Sequence, residues 1–105
     1  MKSDKYHQEA ATLFAALGAV SRLHILQLLS KNSLCVGALS RLTGLSAGAV
    51  SQHLRVLRSA GLVVGERRGY FIHYHLAPNA RRRLTSALAQ LLKRPGGGKK
   101  CVVKG

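Results

Sequence analysis

The most reactive side chains in this sequence are the thiols of its two cysteines, Cys35 and Cys101. Two thiols are too few for the disulfide framework of a small secreted protein. They suffice for a pair that responds to an oxidant or to reactive sulfur, and arsenite or another thiophilic ion is the one cofactor or ligand that they suggest. We therefore predict an inducer or metal site at Cys35 and Cys101. The alternative is one buried thiol and one incidental thiol near the C-terminus.

Acidic residues are scarce, because Asp4, Glu9 and Glu66 are the only carboxylates among the side chains. The sequence contains no evident nucleophile with a base, no paired carboxylates and no glycine loop that would cradle a phosphate. We therefore predict that the protein is not an enzyme.

The formal charge is +14, from seventeen lysines and arginines. Such an excess indicates a polyanionic partner, and nucleic acid is the first candidate because basic groups displace counterions from its phosphates. An anionic membrane surface fits less well, since the basic residues do not form one face of an amphipathic helix. No apolar run approaches the roughly eighteen residues of a membrane span, and the N-terminus lacks an apolar signal core. We expect a cytoplasmic protein without a membrane partner.

The elements that position these groups can be predicted from the spacing of apolar residues. A first helix is predicted over residues 6–17, and a second, central to the core, from the capping residue Ser21 to Ser30. A short third helix ends at Gly44, and Ser46 caps a fourth over residues 47–60. Two helices joined by a short turn containing glycine are typical of a helix-turn-helix, whose second helix enters the major groove of DNA.

A β-hairpin, or wing, is predicted over residues 62–76, with its turn at Arg67, Arg68 and Gly69. The aromatic residues near its second strand are expected in the core, opposite solvated histidines. A last helix begins at Pro78 and Asn79, and the three arginines in its first turn suggest an outside anion. We predict a mainly α fold with a small β-hairpin wing, a dimeric winged helix-turn-helix, over residues 1–93. Residues 94–105 are predicted to be a flexible basic tail.

One face of the fourth helix carries the groups that are suited to DNA. Glutamine pairs with adenine, arginine with guanine or phosphate, serine with base or phosphate, and small residues allow close approach. Arginines in the wing suit phosphates or the minor groove. The predicted DNA-binding residues are Ser46, Ala47, Gly48, Ser51, Gln52, Arg55, Arg67 and Arg68. An ordinary solvated helix face is the alternative.

Apolar stripes on the first and last helices exceed what one small core can cover, so we predict a homodimer. The predicted interface residues are Leu13, Leu17, Leu84, Leu88 and Leu91.

From Leu13 to Leu76 the sequence resembles the ArsR/SmtB family of winged-helix repressors. The resemblance rests on four motifs in order: LFAALGAVSRLHILQLLS, SLCVGALSRLTGLS, VSQHLRVLRSAGLV and GERRGYFIHYHL. It implies a homodimer formed by the first and last helices, an imperfect palindromic operator in double-stranded DNA, and release of that operator by an inducer.

The resemblance also implies where sensing occurs, and here the chain departs from the family. Members that sense soft metals often have a CVC pattern followed by an acid, whereas this chain has Cys35, Val36, Gly37 and Ala38. Only the first cysteine matches. Another family site binds zinc through acids and histidines of the last helix, and residues 79–93 contain neither, so we discard it. Two other functions remain open: a non-specific basic nucleic-acid-binding protein, and a protein-interaction module whose charge serves solubility.

Overall fold

The computed structural model describes residues 4–93, which form five α-helices and one three-stranded antiparallel sheet. The helices are α1 (Lys5–Ala16), α2 (Val20–Leu29), α3 (Val36–Thr43), α4 (Ala47–Ser59) and α5 (Ala80–Leu91). The strands are β1 (Leu34–Cys35), β2 (Val63–Arg68) and β3 (Phe71–Leu76), with β3 in the middle. The predicted winged helix-turn-helix fold is confirmed, and the predicted tail lies outside the described residues.

The core lies where α2, α3 and α4 meet the base of the hairpin. Its most completely buried side chains include Ile25 of α2, Leu39 of α3, Leu57 of α4 and Val63 of β2. Each helix buries residues at helical spacing and leaves its other side in water, which is the amphipathic pattern that the sequence predicts. Burial of these side chains fixes α4 against the rest of the domain.

Helix α2 begins earlier than predicted, and Ser21 is not its cap. The N-cap is Ala19, in extended conformation with no side-chain cap hydrogen bond, so that Ser21 lies within the helix. The backbone N–H of Leu23 closes the first turn on the carbonyl oxygen of Ala19. Leu23 itself is exposed, so α2, although central to the core as predicted, faces water on one side.

Strand β1 is an element that the sequence did not predict. It is only two residues long, and it pairs Leu34 with Tyr74 and Cys35 with His73. The strand ties the chain segment before α3 to the central strand of the wing. Cys35 is thereby placed at the edge of the sheet, immediately before the helix-turn-helix.

The turn of the wing begins two residues later than predicted. Arg67 and Arg68 belong to β2, paired with Ile72 and Phe71, and the loop consists of Gly69 and Tyr70. Gly69 has φ +66°, and a glycine at the first position of a two-residue loop is what a type II′ hairpin needs. Because the glycine determines where the chain reverses, both arginines stay in the strand.

The prediction of core aromatics in the wing is wrong for two of the three residues. Tyr70 and Phe71 are exposed, and only Tyr74 packs against the core. The core reaches only the base of the hairpin, where Val63 pairs with Leu76.

Helix α5 begins after Asn79, and one of the three arginines in its first turn is satisfied within the chain. Arg83 Nη1 donates hydrogen bonds to the carbonyl oxygens of Ala60, at 3.2 Å, and Gly61, at 3.0 Å. These carbonyls lie at the C-terminal end of α4, where a cation is favourable. The predicted need for an outside anion is therefore wrong for Arg83, while Arg81 and Arg82 are exposed.

Candidate nucleic-acid interface

Helix α4 presents one buried and one exposed side. The side chains of Val50, Leu54 and Leu57, spaced by four and three residues, are buried in the core. Ser46 begins the helix, and its side chain accepts the backbone N–H of Ala49 at 3.1 Å. The predicted cap is thus confirmed. The opposite side of α4 is left free for a partner.

All eight predicted DNA-binding residues are exposed, and the structure brings six of them together. The exposed face of α4 and its first turn carry Ser46, Ala47, Gly48, Ser51, Gln52 and Arg55. Ser51 and Gln52 supply hydrogen-bonding groups in the middle of this face and Arg55 supplies a charge one turn later. This surface, which we call the reading face, can approach base edges at its N-terminal end and hold phosphate beside them.

The turn that sets the reading face against α3 is fixed by side chains of α3. Gly44 takes φ +78° and donates its N–H to the carbonyl oxygen of Ser40 at 2.9 Å. The Thr43 hydroxyl donates to Leu39 O at 2.7 Å and accepts the N–H of Leu45 at 3.2 Å. The chain can therefore reverse between α3 and α4 without leaving these groups unpaired. Rigid placement of the second helix is what readout of bases requires.

A second arginine, Arg22 of α2, joins the end of α1 to α4. Its guanidinium donates to Ala16 O at 2.7 Å and to Ala15 O at 3.4 Å, and its Nη1 lies 3.2 Å from His53 Nδ1. His53 is half-buried next to the reading face. The sequence pattern did not indicate Arg22, because its contact with His53 joins residues that are 31 positions apart along the chain.

The two wing arginines do not form one patch. They are adjacent in β2, so their side chains leave opposite faces of the hairpin. Arg67 Nη1 lies 3.4 Å from Gly69 O, and Arg68 Nη2 lies 3.3 Å from the Glu66 carboxylate. Both arginines are exposed, so these contacts are weak. The tip of the wing thus carries a positive charge on each face.

Of the two predicted thiols, the structure places only Cys35. It is a half-buried free cysteine at the N-cap position of α3, where its side chain makes no cap hydrogen bond. Cys101 lies outside the described residues. Within residues 4–93 no group of three or more histidine, cysteine or acidic side chains is arranged to hold a metal ion.

The predicted dimer residues fall into three environments. Leu13 is 4% exposed and belongs to the core of its own chain, so its assignment to an interface is wrong. Leu17 and Leu84 are half-buried against the core. Leu88 and Leu91 of α5 are 49% and 50% exposed, and they form an open apolar surface on that helix.

Helices α1 and α5 are held together by a hydrogen bond between them. The Tyr6 hydroxyl donates to Ala87 O at 2.7 Å.

Among the described residues, no single helix is long and apolar enough to cross a membrane. Helices α1 and α2 meet that criterion only as a pair, and they are bent by 90° at the break between them.

Comparisons with known proteins match this architecture. Residues 20–64 match the family model described as bacterial regulatory protein, arsR family. A transcriptional repressor SmtB homolog from Synechocystis is 42% identical over 72 residues, which cover 69% of this chain and 54% of that protein. The transcriptional activator HlyU from Vibrio cholerae is 36% identical over 91 residues, covering 87% of this chain and 81% of HlyU. The chain thus spans about half the length of the Synechocystis relative and most of HlyU.

Comparison with solved structures shows that the similarity to these proteins includes the fold. A structure of HlyU from Vibrio cholerae superimposes with a TM-score of 0.71 at 33% identity, over 88% of this chain and all of that one. A homodimeric winged helix-turn-helix DNA-binding domain from Mycobacterium bovis, described as a possible ArsR-family transcriptional regulator, also gives a TM-score of 0.71. It is 32% identical, over 87% of this chain and 86% of that one.

Proposed function

The chain belongs to the ArsR family of bacterial regulatory proteins, and on this basis we propose that it is a sequence-specific DNA-binding transcriptional repressor. It acts in the cytoplasm as a homodimer on a palindromic operator, and an inducer releases it. Repression is proposed because the Synechocystis relative is a repressor, although HlyU is named an activator. Transcription from an operator-bearing promoter with and without the protein distinguishes the two directions of regulation.

The observation that carries the proposal is the reading face. It lies on the helix that follows the fixed turn, and it has hydrogen-bonding groups at Ser51 and Gln52 beside the charge of Arg55. Exposed groups of these types on the second helix of a helix-turn-helix are suited to base edges in the major groove. The net charge of +14 supplies attraction for phosphates of any sequence.

The experiment compares the affinity for a selected operator with that for random duplex DNA. Replacing Gln52 with alanine should reduce the difference in binding free energy between operator and random DNA by about 1–3 kcal/mol, because an adenine loses its bidentate partner. Replacing Arg67 and Arg68 should weaken all sequences together and reduce the salt dependence. Gln27→Ala, at an exposed glutamine of α2, is the matched control. An unchanged ratio for Gln52→Ala would refute its assignment as a base-reading residue.

Dimerisation is proposed through α1 and α5. The exposed Leu88 and Leu91 on α5 support it, as does the homodimeric Mycobacterium bovis domain. Leu88→Asp should shift the protein to a monomer in sedimentation at tens of micromolar, roughly the range where ordinary dimers persist. The matched control for the added charge is His24→Asp, at an exposed residue of α2. A wild-type protein that sediments as a monomer would contradict the dimer.

The proposed inducer acts on Cys35 and Cys101. Cys35 is free and adjoins the helix-turn-helix, and a solved HlyU structure is described as reduced HlyU. When the two thiols form a disulfide, they give up two protons and two electrons to an oxidant such as diamide. A polysulfide can instead transfer a sulfur atom to a cysteine thiolate, which forms a persulfide as an S–S bond of the polysulfide breaks and the shortened polysulfide leaves. Two thiols per chain leave an arsenite site short of sulfur, so it needs a cysteine of the partner or an oxygen ligand.

Diamide, polysulfide and arsenite are titrated against operator complexes of the wild type, Cys35→Ser and Cys101→Ser. Release that depends on both cysteines supports the proposal, and the reagent that acts identifies the class of inducer. Release that is identical in all three proteins, or absent from all three, removes both residues from sensing.

The high charge favours one competing function, a non-specific nucleic-acid-binding protein. That function predicts a steep salt dependence with little preference between sequences. The specificity ratio measured for the wild type therefore separates the two. A protein-interaction module would bind no DNA at moderate salt.

A further inference from the structure

The tip of the wing carries an exposed aromatic pair. Tyr70 is 96% exposed and the adjoining Phe71 is 61% exposed, while Ile72 next to them is also open to water. A single exposed apolar residue is unremarkable, but these three leave an apolar patch at the tip that extends over both faces of the hairpin. None of them is explained by the core, which ends at the base of the hairpin. The patch indicates contact with a partner.

The hairpin holds Tyr70 at its outermost point. Gly69 and Tyr70 form the whole loop, and the last paired residues, Arg68 and Phe71, lie directly behind them. A two-residue loop leaves the backbone little freedom. A Cβ at Gly69 would meet nothing within 4 Å, so open space surrounds the tip. The ring is thus carried on a rigid support that projects from the domain.

The charges around the ring indicate which partner it meets. Arg67 and Arg68 leave opposite faces of the hairpin just behind the tip. An apolar ring with a basic side chain on each face of the hairpin behind it fits a narrow groove whose two walls are anionic and between whose stacked bases a ring can insert. The minor groove of DNA has this form, with phosphates along both edges and stacked bases between them.

We propose that Tyr70 is a wedge that enters the minor groove beside each half-site and bends the duplex at a flexible base step. The inference rests on the proposed function and adds a second source of specificity to it. Pyrimidine–purine steps such as TA unstack and kink easily, whereas A-tracts are stiff. The protein therefore prefers operators with a flexible step under the wing, at positions where the reading face makes no contact.

The test uses a duplex that the wild-type protein selects from a random library, with dyes at its two ends that report bending by energy transfer. Two versions differ only in the flank, which carries either a TA step or an A-tract. We expect the wild type to bend the TA version and to prefer it by roughly fivefold or more. Tyr70→Phe keeps the ring and should behave like the wild type.

Tyr70→Ala should lose both the bend and the preference for the flank, while its discrimination between operator and random half-sites stays unchanged. Its thermal stability should equal that of the wild type, since the side chain is almost fully exposed. If Tyr70→Ala bends DNA and discriminates flanks as the wild type does, the wedge is refuted. If the wild type prefers no duplex at all, the proposed function itself fails, and the two failures are thus distinguishable.

Discussion

The substitution Gly61→Ala should destabilise the protein more than Gly44→Ala. Both glycines follow a helix and have nearly the same left-handed φ, +75° for Gly61 and +78° for Gly44. A Cβ at Gly44 would meet nothing within 4 Å. A Cβ at Gly61 would lie 2.7 Å from Arg83 Nη1, the atom that bonds the carbonyls of Ala60 and Gly61. Gly44→Ala therefore measures the backbone cost alone.

The expected magnitudes follow from these contacts. An alanine forced into the left-handed region costs about 1–2 kcal/mol, which is the expected loss for Gly44→Ala. Gly61→Ala bears the same cost and also displaces the Arg83 guanidinium. A hydrogen bond to a charged group contributes about 1.5–3 kcal/mol, and partial exposure of Arg83 places the added loss below that range, at about 1 kcal/mol. The total for Gly61→Ala is about 2–3 kcal/mol.

The assay is urea unfolding at one fixed protein concentration, because a dimer's stability depends on concentration. Arg83→Ala and the double variant with Gly61→Ala complete a double-mutant cycle. Once Arg83 is absent, alanine at position 61 should cost no more than alanine at position 44, which gives a coupling of about 1 kcal/mol. Equal losses for the two glycine variants, with zero coupling, would refute the Arg83 contact as the cause.

Three smaller changes test other contacts of the described structure. Ser46→Ala removes the cap of α4 and should lower the free energy of unfolding in urea by about 1 kcal/mol. Ser46→Asn, which can still cap the helix, should keep most of that stability. The Asp4 carboxylate accepts the backbone N–H of His7, which lowers the pKa of Asp4 below its ordinary value. Its stabilising effect is therefore complete above that ordinary value and is lost as the pH falls through the lowered pKa. Asp4→Asn, which still caps α1, should flatten this part of an acid stability profile, and an unchanged profile would contradict the assignment. Tyr6→Phe removes the hydroxyl that bonds Ala87 O and should cost about 1 kcal/mol, with the dimer retained in sedimentation.

Features that depend on neighbours along the chain could be predicted from the sequence. The limits of α4, its cap at Ser46 and its exposed face follow from local periodicity and hydrogen bonding, and the structure agrees with each. The wing was predicted for the same reason. The predicted position of its turn was wrong because the first residue of the loop needs a positive φ, which Gly69 adopts without strain, and this requirement outweighed the polarity of Arg67 and Arg68.

Features that depend on distant parts of the chain could not be predicted. Strand β1 has only two residues, too few for a periodic pattern, and it exists through pairing with β3. Leu13 belongs to an apolar stripe whose pattern is the same whether it faces its own core or a partner. Arg83 looked like an unsatisfied charge because its partners, the carbonyls of Ala60 and Gly61, come from another helix end.

The most direct test of the account is selection of DNA by the wild-type chain from a random duplex library at about 0.15 M salt. We expect enrichment of an imperfect palindrome whose half-sites lie about one helical turn, or a multiple of it, apart. The selected duplex should bind at least about a thousandfold more tightly than random DNA. Recovery of no common motif, with all duplexes bound alike and released together as salt rises, would contradict a sequence-specific regulator.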